Sequence, residues 1–130
     1  MNTPIQDILK WRRVMQLETS ARPTMLPAER LKLHNRLLNE ELDELQGAMI
    51  ERDMTEIADA IGDLIVLAVG VADEFGIPIF EVLDEIYHSN MTKLDDDGNP
   101  VFREDGKLTK GPNFVPPDIN RILAKYSVSE

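Results

Sequence analysis

Cysteine is absent from this 130-residue chain, so neither a disulfide framework nor thiolate-bound zinc or iron–sulfur chemistry is open to it. Histidine is nearly absent too, and His34 and His88 are too few for a histidine-rich metal centre. Long apolar runs are missing: the longest, Leu64 to Ala72, falls far short of the roughly 20 residues a membrane-spanning helix needs. The first residues carry Asp7 early and no apolar stretch, so they do not read as a secretory leader. A cytoplasmic protein with no membrane partner is therefore expected. Positive charge is in short supply, with 14 Lys and Arg against 24 Asp and Glu and a net charge of −10. That balance argues against a nucleic-acid partner, because a phosphate backbone needs a basic face. No segment repeats.

What remains is a chain 42% hydrophobic, enough for the core of one domain over residues 1–130. Its local signals are helical. Thr3-Pro4 opens a first helix running to about Leu17, with a capping residue ahead of a proline. Residues 18–26 read as a loop. Pro27 starts a long second helix carrying Leu31, Leu37, Leu38, Leu42, Leu45 and Met49 at mixed three- and four-residue steps. Asp53 and Glu56 form an acidic variant of the capping box for a third helix, which Gly76 stops. Pro78 begins a fourth helix that ends near Asn90. Beyond Lys93 the turn dipeptides Asp97-Gly98 and Asp105-Gly106 flank Val101-Phe102-Arg103, the pattern of a short hairpin or an ordered loop. Asp118 to Lys125 reads as a last short helix. The expected architecture is all-α: a four- to five-helix bundle (1–92) with a short C-terminal β-hairpin arm and tail (93–130).

The acidic residues have a pattern of their own. On the second helix, Glu41 and Glu44 are three apart and share a face, with Glu40 beside them, Leu37 a turn before and Ala48 a turn after. On the third, Glu56, Asp59 and Asp63 fall on one line among Ile61, Leu64 and Ile65, and no lysine or arginine lies between Asp53 and Ile86. Carboxylates on apolar stripes are costly to leave unpaired. If the two helices fold back on each other through their short connection, both acidic lines meet, and that donor set suits Mg²⁺ or Mn²⁺. Any one of these acids, taken alone, is as readily an ordinary exposed helix carboxylate. Asp95-Asp96-Asp97-Gly98 lacks the spacing and closing glutamate of a calcium loop, and Gly106-Lys107 lacks the upstream glycine of a P-loop.

Glu40-Glu41-x-x-Glu44, followed by Glu56, Asp59 and Asp63, resembles the MazG and HisE-like all-alpha NTP pyrophosphohydrolases. His88-Ser89-Asn90-Met91-Thr92-Lys93, then Asp105-Gly106-Lys107 and Lys110-Gly111-Pro112, is similar to the subgroup whose fourth helix ends in a Ser-Asn-Met-Thr/Ser-Lys signature. The likeness covers nearly the whole chain. It implies a magnesium-dependent hydrolase that cuts a nucleoside triphosphate between the α- and β-phosphates, releasing diphosphate, with Mn²⁺ a natural substitute. By position Glu41, Glu44 and Asp63 match the family's metal ligands, and Glu40 matches the further acid of the motif. The second motif has two registers. Glu56-x-x-Asp59 satisfies Glu-x-x-Asp literally, whereas alignment on Asp63 puts Ala60 in the glutamate slot.

Glu40 or Glu44 is the candidate acceptor for the attacking water's proton. Candidates for holding substrate are Arg36 and Asn39 near the acids, and Asn90, Lys93, Arg103, Lys107 and Lys110 beyond them. Trp11 is the best candidate wall of a base pocket, with His34, Asn35 and Tyr87 as companions. Each of these reads equally as surface, interface or core. The apolar faces exceed what one small bundle buries, and related enzymes are oligomeric, so a homodimer or a dimer of dimers is expected. The expected role is cleaning or shaping the dNTP pool, with dGTP one candidate. A dUTPase-like or phosphoribosyl-ATP specificity is the alternative on the same scaffold, and a non-catalytic nucleotide- or cation-binding module is the alternative of another class.

Overall fold

A computed structural model describes residues 1–127, and its regular structure is helical, with α1 at Pro4–Val14, α2 at Ala28–Glu51, α3 at Met54–Phe75, α4 at Ile79–Met91 and α5 at Ile119–Ala124. The chain divides into two compact units, Met1–Ile77 and a second that begins at Pro78. No helix among the described residues is long and apolar enough to cross a membrane.

In the first unit the helix ends follow from local chemistry. Thr3 and Gln6 close a reciprocal capping box ahead of Pro4, so the orphan N–H groups of α1 are satisfied within one turn. The helix stops at Val14, short of the expected Leu17, because Gln16 turns into the left-handed region at φ 56°. Pro27 leads into α2 in extended conformation, and its carbonyl accepts the N–H groups of Arg30 and Leu31. Asp53 caps α3 by accepting the Glu56 N–H at 3.2 Å. Only two residues, Arg52 and Asp53, separate α2 from α3, so the helices fold back on each other as an αα-hairpin, and α1 packs on α3.

The buried apolar positions of this hairpin are mostly small: Ala48, Ala60, Val69 and Ala72. Small side chains let the helices approach closely, which brings polar groups on both into reach of one another. Gly70 serves the same end, since a Cβ there would lie 2.7 Å from Arg12 Nη1. At Gly76 (φ 70°) α3 ends in a left-handed cap, and a Cβ would sit 2.1 Å from the Arg22 carbonyl oxygen. The loop before α2 crosses here. Ser20 and Thr24 donate their backbone N–H groups to the carbonyls of Asp73 and Phe75, orphans of the helix end.

The second unit pairs α4 with α5 around Ile122. Ser89 donates its hydroxyl to the Val115 carbonyl at 2.7 Å, and Glu85 accepts from the Asp118 N–H and from Arg121. Between the two helices the expected hairpin resolves into two successive loops, each closed by one isolated antiparallel bridge, Leu94 with Pro100 and Phe102 with Leu108. No strand forms among the described residues. The turn residues act as expected, with Gly98 at φ 79° and Gly106 at φ 85°. Each turn closes only its own loop, however, and Pro100 has no N–H to extend a ladder. The last three residues of the expected tail lie outside the described residues.

Candidate active site

The αα-hairpin brings Glu41, Glu44 and Asp63 together: one carboxylate oxygen from each lies within 4.8 Å of the others. Two come from consecutive turns of one α2 face, and the third from α3 across the hairpin. Glu41 is half-buried, and its Oε2 is closed off from solvent without a hydrogen-bond partner. Burial raises the Glu41 carboxyl above the usual carboxylate range, and the charges of Glu44, Asp63, Glu40 and Asp59 push it the same way. Among the described residues no lysine or arginine pairs with these three acids. Like charges gathered around an orphaned oxygen are what a hard divalent cation relieves.

The other candidate residues fall in different places. Glu56 and Asp59 lie outside the cluster. With Glu44 and Glu51 they line a separate cleft of about 260 Å³, whose floor includes Ala48 and Ala60. Ala60, 3% exposed, lines that cleft, so the glutamate slot of the Asp63 register holds a small buried side chain. Packing thus brings Asp63, rather than the literal Glu-x-x-Asp pair, against Glu41 and Glu44. Glu40 is exposed beside the cluster and approaches Arg36 at 3.8 Å, and Asn39 is exposed. In the second unit, Arg103 is held by Asp105 at 2.7 Å, while Lys93 and Lys110 stand over the Phe114 ring at 6.0 and 5.0 Å. The Lys107 side chain is exposed, and Asn90 is exposed in the last turn of α4. Tyr87 stacks edge-on with His88.

A cavity of about 620 Å³ opens from the cluster, with Glu41 and Asp63 at one end. Leu33 and Leu37 of α2 and Val66, Leu67 and Val71 of α3 form its apolar walls, and Trp11, 46% exposed, stands at its edge. At the far end Glu74 binds Arg30 at 2.6 Å through Oε1 and His34 through Oε2. Next to it, buried Asp73 takes Arg12 at 2.8 Å, Arg13 at 3.0 Å and the Thr19 hydroxyl at 3.0 Å. Burial alone would raise both carboxyls. Hydrogen bonds from Arg13, Arg12 and Thr19 outweigh it at Asp73, and those from Arg30 and His34 at Glu74, so both are held below the ordinary range. These pairs were not foreseen from the sequence. The available signal was an Asp-Glu pair between Ala72 and Phe75 on the most apolar helix, where unpaired charge would not survive.

The helical hairpin thus gathers three acids without basic partners at the mouth of an apolar cavity. The sequence matches the family model of phosphoribosyl-ATP pyrophosphohydrolase over residues 10–90, so the chain belongs to that family, within the MazG-like all-alpha NTP pyrophosphohydrolase superfamily. The family's chemistry is that of a pyrophosphohydrolase acting on a nucleotide, a hydrolase of phosphoric anhydrides. A search of curated proteins finds no match.

Proposed function

We propose that the chain hydrolyses a nucleoside or deoxynucleoside triphosphate to the monophosphate and diphosphate, with Glu41, Glu44 and Asp63 holding Mg²⁺ and Mn²⁺ able to replace it. The observation that carries this reading is the convergence of these three carboxylates, without a basic partner, at the mouth of the cavity. The cation would supply positive charge for the phosphates and acidify water. The protein's part is positional. Glu41 and Asp63 set the reacting end of the nucleotide at the cavity mouth, and the apolar walls exclude water from its other end. Glu40, beside the cluster and only loosely met by Arg36, is free to accept a proton from water.

Phosphoribosyl-ATP is the second reading, and the family to which the chain belongs favours it. Both substrates present the same anhydride to the same acids. Diphosphate release from NTPs, dNTPs and phosphoribosyl-ATP, with Mg²⁺ or Mn²⁺ and alongside Glu41→Gln, separates them. Metal-dependent release lost in the variant supports the enzyme, and the panel ranks the substrates. No release from folded protein would leave a non-catalytic cation- or nucleotide-binding module.

Self-association belongs to the same reading. Leu42, Met49, Ile50, Met54, Ile61 and Ile65 stay exposed along the α2–α3 hairpin, apolar side chains that a second copy would cover. Light scattering on the full chain should give the mass of a dimer or a dimer of dimers, and a monomer at micromolar concentration would refute it.

A further inference from the structure

Arg12 is 8% exposed, and two of its guanidinium nitrogens are already committed. Nε donates to Asp73 at 2.8 Å and Nη2 to the Glu18 carbonyl at 2.6 Å, which fixes the guanidinium plane and with it the direction of Nη1. Nη1 has no partner among the described residues. The fully enclosed side-chain atoms without partners there are His34 Nδ1 and Glu41 Oε2, so Nη1 keeps an open surface. It lies against Gly70, where a Cβ would approach to 2.7 Å, and Arg12 and Gly70 line the same cavity. A buried arginine thus turns its unused N–H groups to the cavity through the gap that a glycine leaves. Gly70 follows Asp63 by two turns on one face of α3, roughly 10 Å along the axis, with Val66 and Leu67 between them. Trp11, the residue before Arg12, stands at the edge of the same cavity.

We propose that Arg12 anchors the nucleobase, donating from Nη1 to a carbonyl oxygen or ring nitrogen of whichever base the cavity admits. This inference rests on the nucleotide-hydrolase reading above. Phosphates stay with the cation at the acids, so the part of the nucleotide that extends past Val66 and Leu67 to Gly70 is its base. Every nucleobase carries an acceptor of this kind, so the contact supplies affinity and position rather than a choice among bases. A charged donor held in a fixed direction between apolar walls should tighten binding about 10- to 100-fold.

The test is equilibrium binding to the full chain, with Mg²⁺, of α,β-methylene analogues of dATP, dGTP, dCTP and dUTP, and of inorganic triphosphate, which has phosphates and no base. Wild type should bind at least one nucleotide analogue about tenfold or more tighter than triphosphate. Arg12→Lys keeps the charge beside Asp73 but loses the third nitrogen of the fork. It should weaken that nucleotide by about tenfold or more and leave triphosphate within about threefold. Gly70→Ala leaves both anchors of Arg12 in place and crowds only Nη1, so it should act the same way, and it decides the matter if Arg12→Lys does not fold. Unchanged nucleotide binding in either folded variant, equal weakening of triphosphate, or no preference for any nucleotide in wild type would each overturn the proposal. Diphosphate release from the natural dNTPs by wild type, followed separately, reports on the hydrolase reading. A preference that the variants lose, without any release, sinks that reading alone, and release with the preference intact in the variants sinks this one.

Discussion

Asp63, midway along α3, meets two more carboxylates and no base, whereas Asp73 and Glu74, at the end of the same helix, meet arginines, a histidine and a threonine. Burial is not what separates them, since the carboxyls of Asp73 and Glu74 are the more enclosed. The supply of partners is. At the end of α3 every charge is answered inside the protein, and the acids are held ionised. At the middle the charges stay unanswered, and Glu41 is pushed toward its neutral form. One helix thus carries acids that brace the fold and an acid that asks for a ligand.

That contrast can be broken at either end. The largest effect is expected at the braced end. Asp73→Ala strands buried Arg12 and should cost about 3–5 kcal/mol in urea unfolding, with no rescue by Mg²⁺. At the open end, Glu41→Gln should lower diphosphate release by about 100-fold or more, as expected when a ligand of a catalytic ion is lost. Unfolding measured without metal should show this variant no less stable than wild type, because it removes a crowded charge. A loss of several kcal/mol there would mean that Glu41 is a structural acid after all.

Acidity sharpens the same comparison, and the two ends respond with opposite signs. Asp73 and Glu74, with lowered folded pKa values, contribute stability above the ordinary carboxylate range and lose it as pH falls through those lowered values. Glu41, with a raised folded pKa, favours the fold below its ordinary value, and that contribution is lost as pH rises through the raised one. Metal-free chain should therefore gain stability from Glu41 as pH falls through its raised value. The stabilisation by added Mg²⁺ should shrink over the same range, as protons compete for the oxygens. Thermal melts with and without Mg²⁺ across pH decide this, and a pH-independent increment would count against the site. The smallest effect concerns the turn between α2 and α3. Arg52 holds φ 58°, where Gly76 holds the same left-handed cap at the other end of α3. Arg52→Gly should stabilise the chain by about 0.5–1 kcal/mol in denaturant titrations.

The helices were legible because their punctuation is local: Thr3-Pro4, Asp53 and Gly76 each act within one turn of where they stand. The acids were legible as a group because carboxylates at helical spacing on apolar stripes are physically conspicuous. The resemblance already named Glu41, Glu44 and Asp63, the three that converge; spacing alone did not choose among Glu56, Asp59 and Asp63, because all three lie on one line of α3 and the choice depends on how α2 packs against it. The brace escaped notice for a different reason. Arg12 and Asp73 are 61 residues apart, and neither residue's neighbours announce the other. In the arm the turns were read correctly, but pairing beyond them depends on which residue faces Pro100, a matter no dipeptide encodes.

The loop that crosses Gly76 has a consequence for how the molecule opens. Its amides at Ser20 and Thr24 are bonded to the last carbonyls of α3, so neither can be released while that helix end is intact. In native-state hydrogen exchange these two loop amides should be protected like helix, and they should open together with the end of α3 as one cooperative element. A segment without regular structure would then report on the stability of the brace beneath it.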